Sequence, residues 1–207
     1  ESLKAQTYQD FEVLVVDDGS TDLDTKTAFE TIKQNPPCSN LRILYQKNGG
    51  LPSARNYGVN QAQGTYVLPL DADDILAPEY LELTLQHLEK NHLDFVLTDV
   101  QHFGEKDTVF RLHLNFYDML FNFSLVYCGL QKKEIYSAVG GYDESFAQGL
   151  EDWEYWLRVL KAGFQGDIIQ EPLFWYRKRK NSFLGQANKV RAQNITKLRH
   201  KHADLYT

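Results

Sequence analysis

Three stretches of this chain gather carboxylates where a strand gives way to a loop or a helix begins. YVLPLDADDILAPEY, residues 66–80, drives an apolar run straight into Asp71, Asp73 and Asp74. VLVVDDGSTD ends in Asp17 and Asp18, followed by Gly19 and Ser20 for a tight turn and then Asp22. GLEDWEYWLR sets Glu151 and Asp152 in the first turn of an apolar-faced helix. Like charges at the end of a buried strand cost folding free energy unless a cation joins them. Mg²⁺ or Mn²⁺ suits such a place, because each is held by one or two carboxylates and completes its shell on substrate phosphates. A carboxylate held rigidly at a helix start can also accept a proton as a general base. Each stretch has a structural reading beside the chemical one. DDGSTD reads equally as a turn and helix cap, and acids at 151–152 offset the helix dipole by roughly 0.3–1 kcal/mol. A calcium loop starting at Asp71 is excluded, since Ile75 and Leu76 occupy the ligand and glycine positions of an EF-hand.

Between the acidic ends lies KNGGLPSARNYGVNQAQG, residues 47–64. Gly49 and Gly50 permit a sharp turn, a helix starts near Pro52, and Arg55 follows in its first turns. Free N–H groups at a helix start attract anions and guanidinium suits phosphate, so beside a metal site this stretch suggests a diphosphate.

The elements that must position these residues follow from hydrophobic patterning. Apolar runs at 11–17, 41–46, 65–71, 93–100, 124–130, 166–170 and 173–178 read as strands. Helical patterns fall at about 23–34, about 52–62 and about 78–91, the last with Leu81, Leu85 and Leu88 on one face. A later helix runs from Leu150 with Trp153, Leu157 and Leu160 on its apolar side, ending at Gly163. Strand–helix alternation with continuously apolar strands predicts an α/β fold, a three-layer α/β/α arrangement with a mainly parallel, partly mixed central sheet. Parallel strands would open both acidic ends onto one edge, where ligands bind in such sheets. No repeat or low-complexity linker divides residues 1–207, so one domain is expected. The chain opens inside a helical pattern, and a sheet of this kind is expected to have a strand before it.

The net charge of −6 is uneven: residues 176–207 carry nine Lys and Arg against Asp204 alone, leaving −14 on the rest. An acidic body argues against nucleic acid as partner. The basic tail, 181–207, reads as a helix that is solvated, set against an anionic membrane surface, or turned to a phosphorylated substrate. Cys38 and Cys128 form neither a metal spacing nor a disulfide framework. No apolar run spans a membrane and the start lacks a signal peptide's regions, so the cytoplasm, or the inner face of its membrane, is the expected setting.

In order and spacing, QTYQDFEVLVVDDGSTD, NGGLPSARNYGVNQAQGTYVLPLDADD, VGGYDESF and EDWEYWLR together resemble a family-2 glycosyltransferase of the GT-A fold. The likeness extends to about residue 177. It implies transfer, with inversion, of a sugar from a nucleotide-diphosphate sugar such as a UDP-sugar to a hydroxyl of a glycan or lipid-linked saccharide. About 1–100 would bind the nucleotide-sugar and about 101–180 the acceptor. Asp17 and Asp18 would meet the base and ribose, with Gly50, Arg55, Asp71 and Arg179 also on the donor. Asp73, with Asp71, would hold Mn²⁺ or Mg²⁺, Asp152 would be the general base, and Glu151 and Trp153 would border the acceptor. The segment WYRKRKNS sets Arg179 where many members carry histidine; arginine cannot ligate a metal but holds phosphate well. A homodimer is compatible with this reading. Two alternatives stand beside it, a sugar nucleotidyltransferase and a non-catalytic nucleotide- or glycan-binding domain of a larger polymerase.

Overall fold

The computed structural model describes residues 1–36, 38–179 and 183–206, with residues 183–189 described by backbone alone. Its first half runs β1 (Val13–Asp17), α1 (Leu23–Gln34), β2 (Leu41–Tyr45), α2 (Leu51–Gln61), β3 (Tyr66–Val67), β4 (Ile75–Leu76) and α3 (Tyr80–Lys90). The second runs β5 (Phe95–Gly104), β6 (Thr108–Phe110), α4 (Phe116–Met119), β7 (Leu130–Lys132), α5 (Lys133–Val139), α6 (Glu151–Lys161), β8 (Gly166–Lys178) and α7 (Phe183–Lys201).

The sheet is mixed. Its longest ladders, β1 with β2 and β5 with β8, are parallel. The shorter pairings, β3–β7, β4–β8, β5–β6 and β5–β7, are antiparallel. β1 and β2 form a pair of their own, and the remaining strands order as β3-β7-β5-β8-β4 with β6 on β5. Between β1 and β3 opens a cleft of about 1930 Å³, lined by Val13–Val16 on one side and Tyr66–Leu70 on the other.

The helices start where the sequence signals them. Asp22 caps α1, accepting a hydrogen bond from Thr25 N at 2.8 Å. Pro52 sits in the first turn of α2, where a missing N–H costs nothing. Four expected strands come out differently. The run 65–71 keeps only Tyr66 and Val67 in a ladder, because Pro69 has no N–H to donate and Asp71 N donates instead to Tyr127 Oη. In 124–130 only Leu130 is in a strand, since Val126 O accepts from Trp156 Nε1 and Cys128 O from Tyr80 Oη. The runs 166–170 and 173–178 form one strand, β8, with a register shift opposite Asp99 that lets Glu171 and Pro172 bulge out.

The core is aromatic: Trp153, Trp156, Tyr155, Tyr142, Phe95 and Phe146 are all buried to 2% exposure or less. Tyr142 stacks on Tyr155 at 4.5 Å between centroids, and Phe95 meets Trp156 at 4.8 Å. Beyond the area they bury, such pairs contribute about 0.5–1.5 kcal/mol each. Trp153, Tyr155 and Trp156 lie on α6, and Tyr142 and Phe95 pack against them, so the helix that carries Asp152 is firmly seated.

The basic C-terminal helix is docked rather than free. Leu198 and His202 are buried, and His202 Nε2 lies 3.0 Å from Oε1 of Glu154, itself fully buried in α6. Arg158 adds a forked contact to the same carboxylate, with Nη2 at 2.7 Å, and Lys201 Nζ lies 2.7 Å from it. Residues 181, 182 and 207 of the expected tail lie outside the described residues. No described helix is long and apolar enough to cross a membrane.

Candidate active site

Beyond β3 the chain leaves its ladder and turns, closing with Asp74 N on Asp71 O at 3.1 Å. The Tyr127 hydroxyl sits inside this turn, accepting from Asp71 N at 2.9 Å and donating to Asp74 Oδ2 at 2.6 Å. Arg177 N donates to Asp74 Oδ1 at 2.7 Å, tying the loop to β8. Burial pushes the Asp74 carboxyl up to about 6, against the pull of these hydrogen bonds. Asp74 is therefore a structural anchor.

Its neighbours face outward to different degrees. Asp71 Oδ1 accepts from Arg55 Nη2 at 3.0 Å, while Asp71 Oδ2 has no hydrogen-bond donor among the described residues. The Asp73 carboxylate is 42% exposed, with Oδ2 lying 3.3 Å from Arg179 Nη2.

Arg55, buried in α2, is the link across the site. Its Nη1 donates to Glu151 Oε1 at 3.1 Å while Nη2 holds Asp71. The guanidinium lies over the Tyr127 ring at 4.3 Å and near that of Tyr142 at 5.4 Å, and its Nε has no hydrogen-bond partner among the described residues. The sequence suggests phosphate for Arg55, and its donors here go to two carboxylates. One buried cation thus joins the DADD loop to the start of α6.

That helix begins from Leu150 in the left-handed region, φ 67°, after Gly149 at φ 111°. Leucine at positive φ is strained, and such strain concentrates where a side chain must be aimed. Asn194 of α7 holds this turn by donating to Gln148 O and Gly149 O at 3.3 and 3.2 Å. Trp153 locks the helix from below, its Nε1 on Met119 O at 2.6 Å and its ring stacked on Phe123. Asp152 is half-buried and accepts from Trp153 N at 2.8 Å. Burial first, and the charge of Glu151 second, push the Asp152 carboxyl up to about 7, with Arg55 opposing. Burial raises Glu151 as well, again against Arg55.

The first acidic end forms a separate node. Asp17 Oδ1 accepts from Ser20 N at 2.8 Å. Asp18 accepts from Gln46 Nε2 and Gly49 N through Oδ1, and from Gly50 N through Oδ2 at 2.8 Å. It fastens the turn that starts α2, where Gly50 takes φ 86°, a conformation that other residues adopt only with strain.

The structure therefore brings Arg55, Asp71, Asp73, Glu151, Asp152 and Arg179 onto one cleft. Asp17, Asp18 and Gly50 stand together beside α2, and Trp153 is buried next to Asp152 rather than open to the cleft. Among the described residues no group of three or more His, Cys, Asp and Glu side chains forms a closed metal cage. An open Asp73 and a free Asp71 oxygen fit a hard cation that finishes its shell on phosphate and water. Sequence reading gives neither Tyr127 nor Asn194 its role here: Tyr127 reads as one aromatic among several, with Phe103, Phe116 and Tyr117, that are either core or sugar platforms, and Asn194 only opens a short glycosylation-like pattern of a kind that arises by chance. No periodicity marks a hydroxyl that must sit between the Asp71 N–H and the Asp74 carboxylate.

The family profile described as glycosyl transferase family 2 matches residues 1–154. The chain belongs to that family. This family-2 chain is 28% identical over 207 residues to glycosyltransferase GlyG of Streptococcus pneumoniae, covering 89% of this chain and 66% of that protein. An uncharacterized glycosyltransferase of Rickettsia felis is 29% identical over 177 residues, covering 83% of this chain and 29% of that protein. Among solved structures, S. aureus TarS 1–349 in complex with UDP-GlcNAc superposes with a TM-score of 0.75 at 21% identity, over 89% of this chain and 55% of that one. That likeness establishes the GT-A type of fold. This chain thus spans about half the length of its structural neighbour, and less than two thirds of either relative.

Proposed function

We propose that this chain transfers a sugar from a nucleotide-diphosphate sugar to an acceptor hydroxyl with inversion, using Asp152 as general base. The observation that carries this reading is the Glu151–Arg55–Asp71 bridge, which ties the start of the Asp152 helix to the loop that bears Asp73. UDP as the nucleotide is supported by the fold neighbour solved with UDP-GlcNAc.

In this reading the acceptor oxygen attacks the anomeric carbon as its proton passes to an Asp152 oxygen. The bond from that carbon to the diphosphate breaks, and the nucleoside diphosphate leaves with the electron pair. Single displacement from the opposite face inverts the centre and needs no enzyme nucleophile. Burial raises the proton affinity of Asp152 toward neutrality, which suits a base that must bind a proton during the step. Mn²⁺ or Mg²⁺ held by Asp73 and the free oxygen of Asp71 would neutralise charge on the leaving diphosphate. Arg179 holds a diphosphate oxygen when substrate competes with Asp73 for its guanidinium. Asp17, Asp18 and Gly50 shape the base and ribose side, and Arg55 keeps Asp71 and Glu151 in register. Exposed Lys197 and Arg199 on α7 support contact with an anionic membrane where a lipid-linked acceptor is presented.

The test is a nucleotide-sugar panel with Mn²⁺, read by nucleoside-diphosphate release with and without candidate acceptors. Asp152→Asn should abolish acceptor-dependent release while nucleotide binding survives. Unchanged transfer in that variant, or release of pyrophosphate instead, sinks the reading.

A further inference from the structure

The cleft has a second charged wall that the carboxylate chemistry leaves unused. The β5–β8 ladder sets Gly104 beside Lys178 and His102 beside Tyr176, and across the hairpin His102 pairs with Thr108. Lys106, in the turn of that hairpin, therefore stands next to Lys178, and both line the cleft that holds Asp73 and Asp152. Lys178 is half-buried, with Nζ 4.3 Å from the centre of the Tyr176 ring. Among the described residues neither lysine has a carboxylate within ion-pair distance. Burial, and then the charge of Lys106, lower the proton affinity of Lys178, with Asp74 opposing more weakly. Burial, then Lys178 and Lys106, push the buried His102 down to about 4, so it is neutral at pH 7. The two ammonium groups thus repel each other on a shared surface, a cost that a bound anion removes.

Beside them is an apolar platform. Phe110 is 37% exposed, lines the cleft and stacks on His102 at 5.9 Å and 13° between planes. Ammonium donors suit phosphate oxygens, while ring faces suit the C–H faces of a polyol or sugar. The donor diphosphate already has Asp73 and Arg179 assigned to it, whereas Lys106 projects from the hairpin that follows β5.

We propose that Lys106 and Lys178 form a phosphate subsite for the acceptor, so that the hydroxyl presented to Asp152 belongs to a phosphate-bearing polyol or saccharide. This rests on the transferase reading above and names its acceptor class. The phosphate comes either from a soluble acceptor or from a lipid headgroup, and the test separates these.

The test titrates the full chain with glycerol 3-phosphate, with neutral glycerol, and separately with UDP plus Mn²⁺, by calorimetry. The comparison is with the Lys106→Ala/Lys178→Ala double variant and with Lys106→Arg/Lys178→Arg. Glycerol 3-phosphate should bind where glycerol does not, weaken about tenfold or more in the alanine pair, and recover in the arginine pair. UDP affinity should be the same in all three proteins. Equal glycerol 3-phosphate binding in the alanine pair overturns the subsite, and a parallel loss of UDP binding reassigns the lysines to the donor and overturns it too. If glycerol 3-phosphate binds as expected while no nucleotide or nucleotide-sugar binds wild type, the transferase reading has failed and the anion site stands. Vesicles of phosphatidylglycerol against phosphatidylcholine then assign the source. Lysine-dependent binding to the former alongside glycerol 3-phosphate places the phosphate in a headgroup, and indifference places it in a soluble acceptor. Vesicle binding without any glycerol 3-phosphate binding overturns the proposal in favour of a membrane-contact surface.

Discussion

In an Arg55→Met variant, Asp71 and Glu151 lose the guanidinium that now lies 3.0 and 3.1 Å from them. The Arg55 side chain is 7% exposed and that of Glu151 9%, so water cannot replace the contact on that side without opening the site. Removing one partner of a buried ion pair costs about 3–5 kcal/mol, because the other charge stays behind unpaired. Asp71 is 30% exposed and partly rehydrates, which favours the lower end of that range. For a chain of this size each kcal/mol is worth about 2–4 °C in midpoint, so a loss on the order of 10 °C is expected. The deficit also depends on pH. Arg55 lowers the proton affinity of Glu151 and Asp152, so without it both rise further and the folded variant takes up protons more readily. The loss should be largest near about pH 8 and shrink toward about pH 5 as those carboxylates protonate. Urea unfolding followed by circular dichroism at several pH values reads this directly, with Arg55→Lys restoring part of the loss. A deficit below about 1 kcal/mol that does not change with pH would show that Arg55 is merely a surface ion pair.

The other expectations concern the base, the metal carboxylate and the C-terminal helix. With Asp152 as the proposed base and its carboxyl raised to about 7, transfer should fall as pH drops below that value, far above an ordinary carboxylate's range; a profile flat down to about pH 5 removes Asp152 from the role. Asp73→Ala should eliminate the Mn²⁺-dependent part of UDP binding yet leave the unfolding midpoint nearly unchanged, because its contact with Arg179 is exposed; calorimetry and thermal melts check the two halves. Arg158, His202 and Lys201 hold the buried Glu154 carboxylate down to about 2. Its stabilisation, on the order of 3 kcal/mol, is present above the ordinary glutamate value and lost as pH falls toward 2, whereas Glu154→Gln should flatten that acid limb.

Much of this was legible in the sequence because its signals are local. The helix starts at Asp22 and Pro52, the first strand and the Trp153 helix depend on neighbours within a few residues; the helices appear where patterning puts them, and the strand expected at 11–17 forms over 13–17. What escaped depends on long-range partners. The run 124–130 has the composition of a strand, yet side chains from α3 and α6 take its carbonyls and only Leu130 pairs. The carboxylates were identifiable by type, but not that Arg55 would spend its donors on Asp71 and Glu151, residues 16 and 96 positions away. The basic tail looked like a solvated helix because nothing in it reveals that Glu154 waits fully buried for Lys201 and His202.

The isolation of β1 and β2 has a consequence for how the molecule behaves in company. β1, with the sequence Val-Leu-Val-Val-Asp, is paired along one edge, and its other edge faces the cleft that separates it from β3. Unpaired strand edges rich in branched residues act as templates for another strand, and β1 has neither a proline nor a lysine to blunt it. A segment that added there could bond to β1 and β3 together, converting two sheets into one and fixing Asp17 relative to Asp71 through continuous backbone.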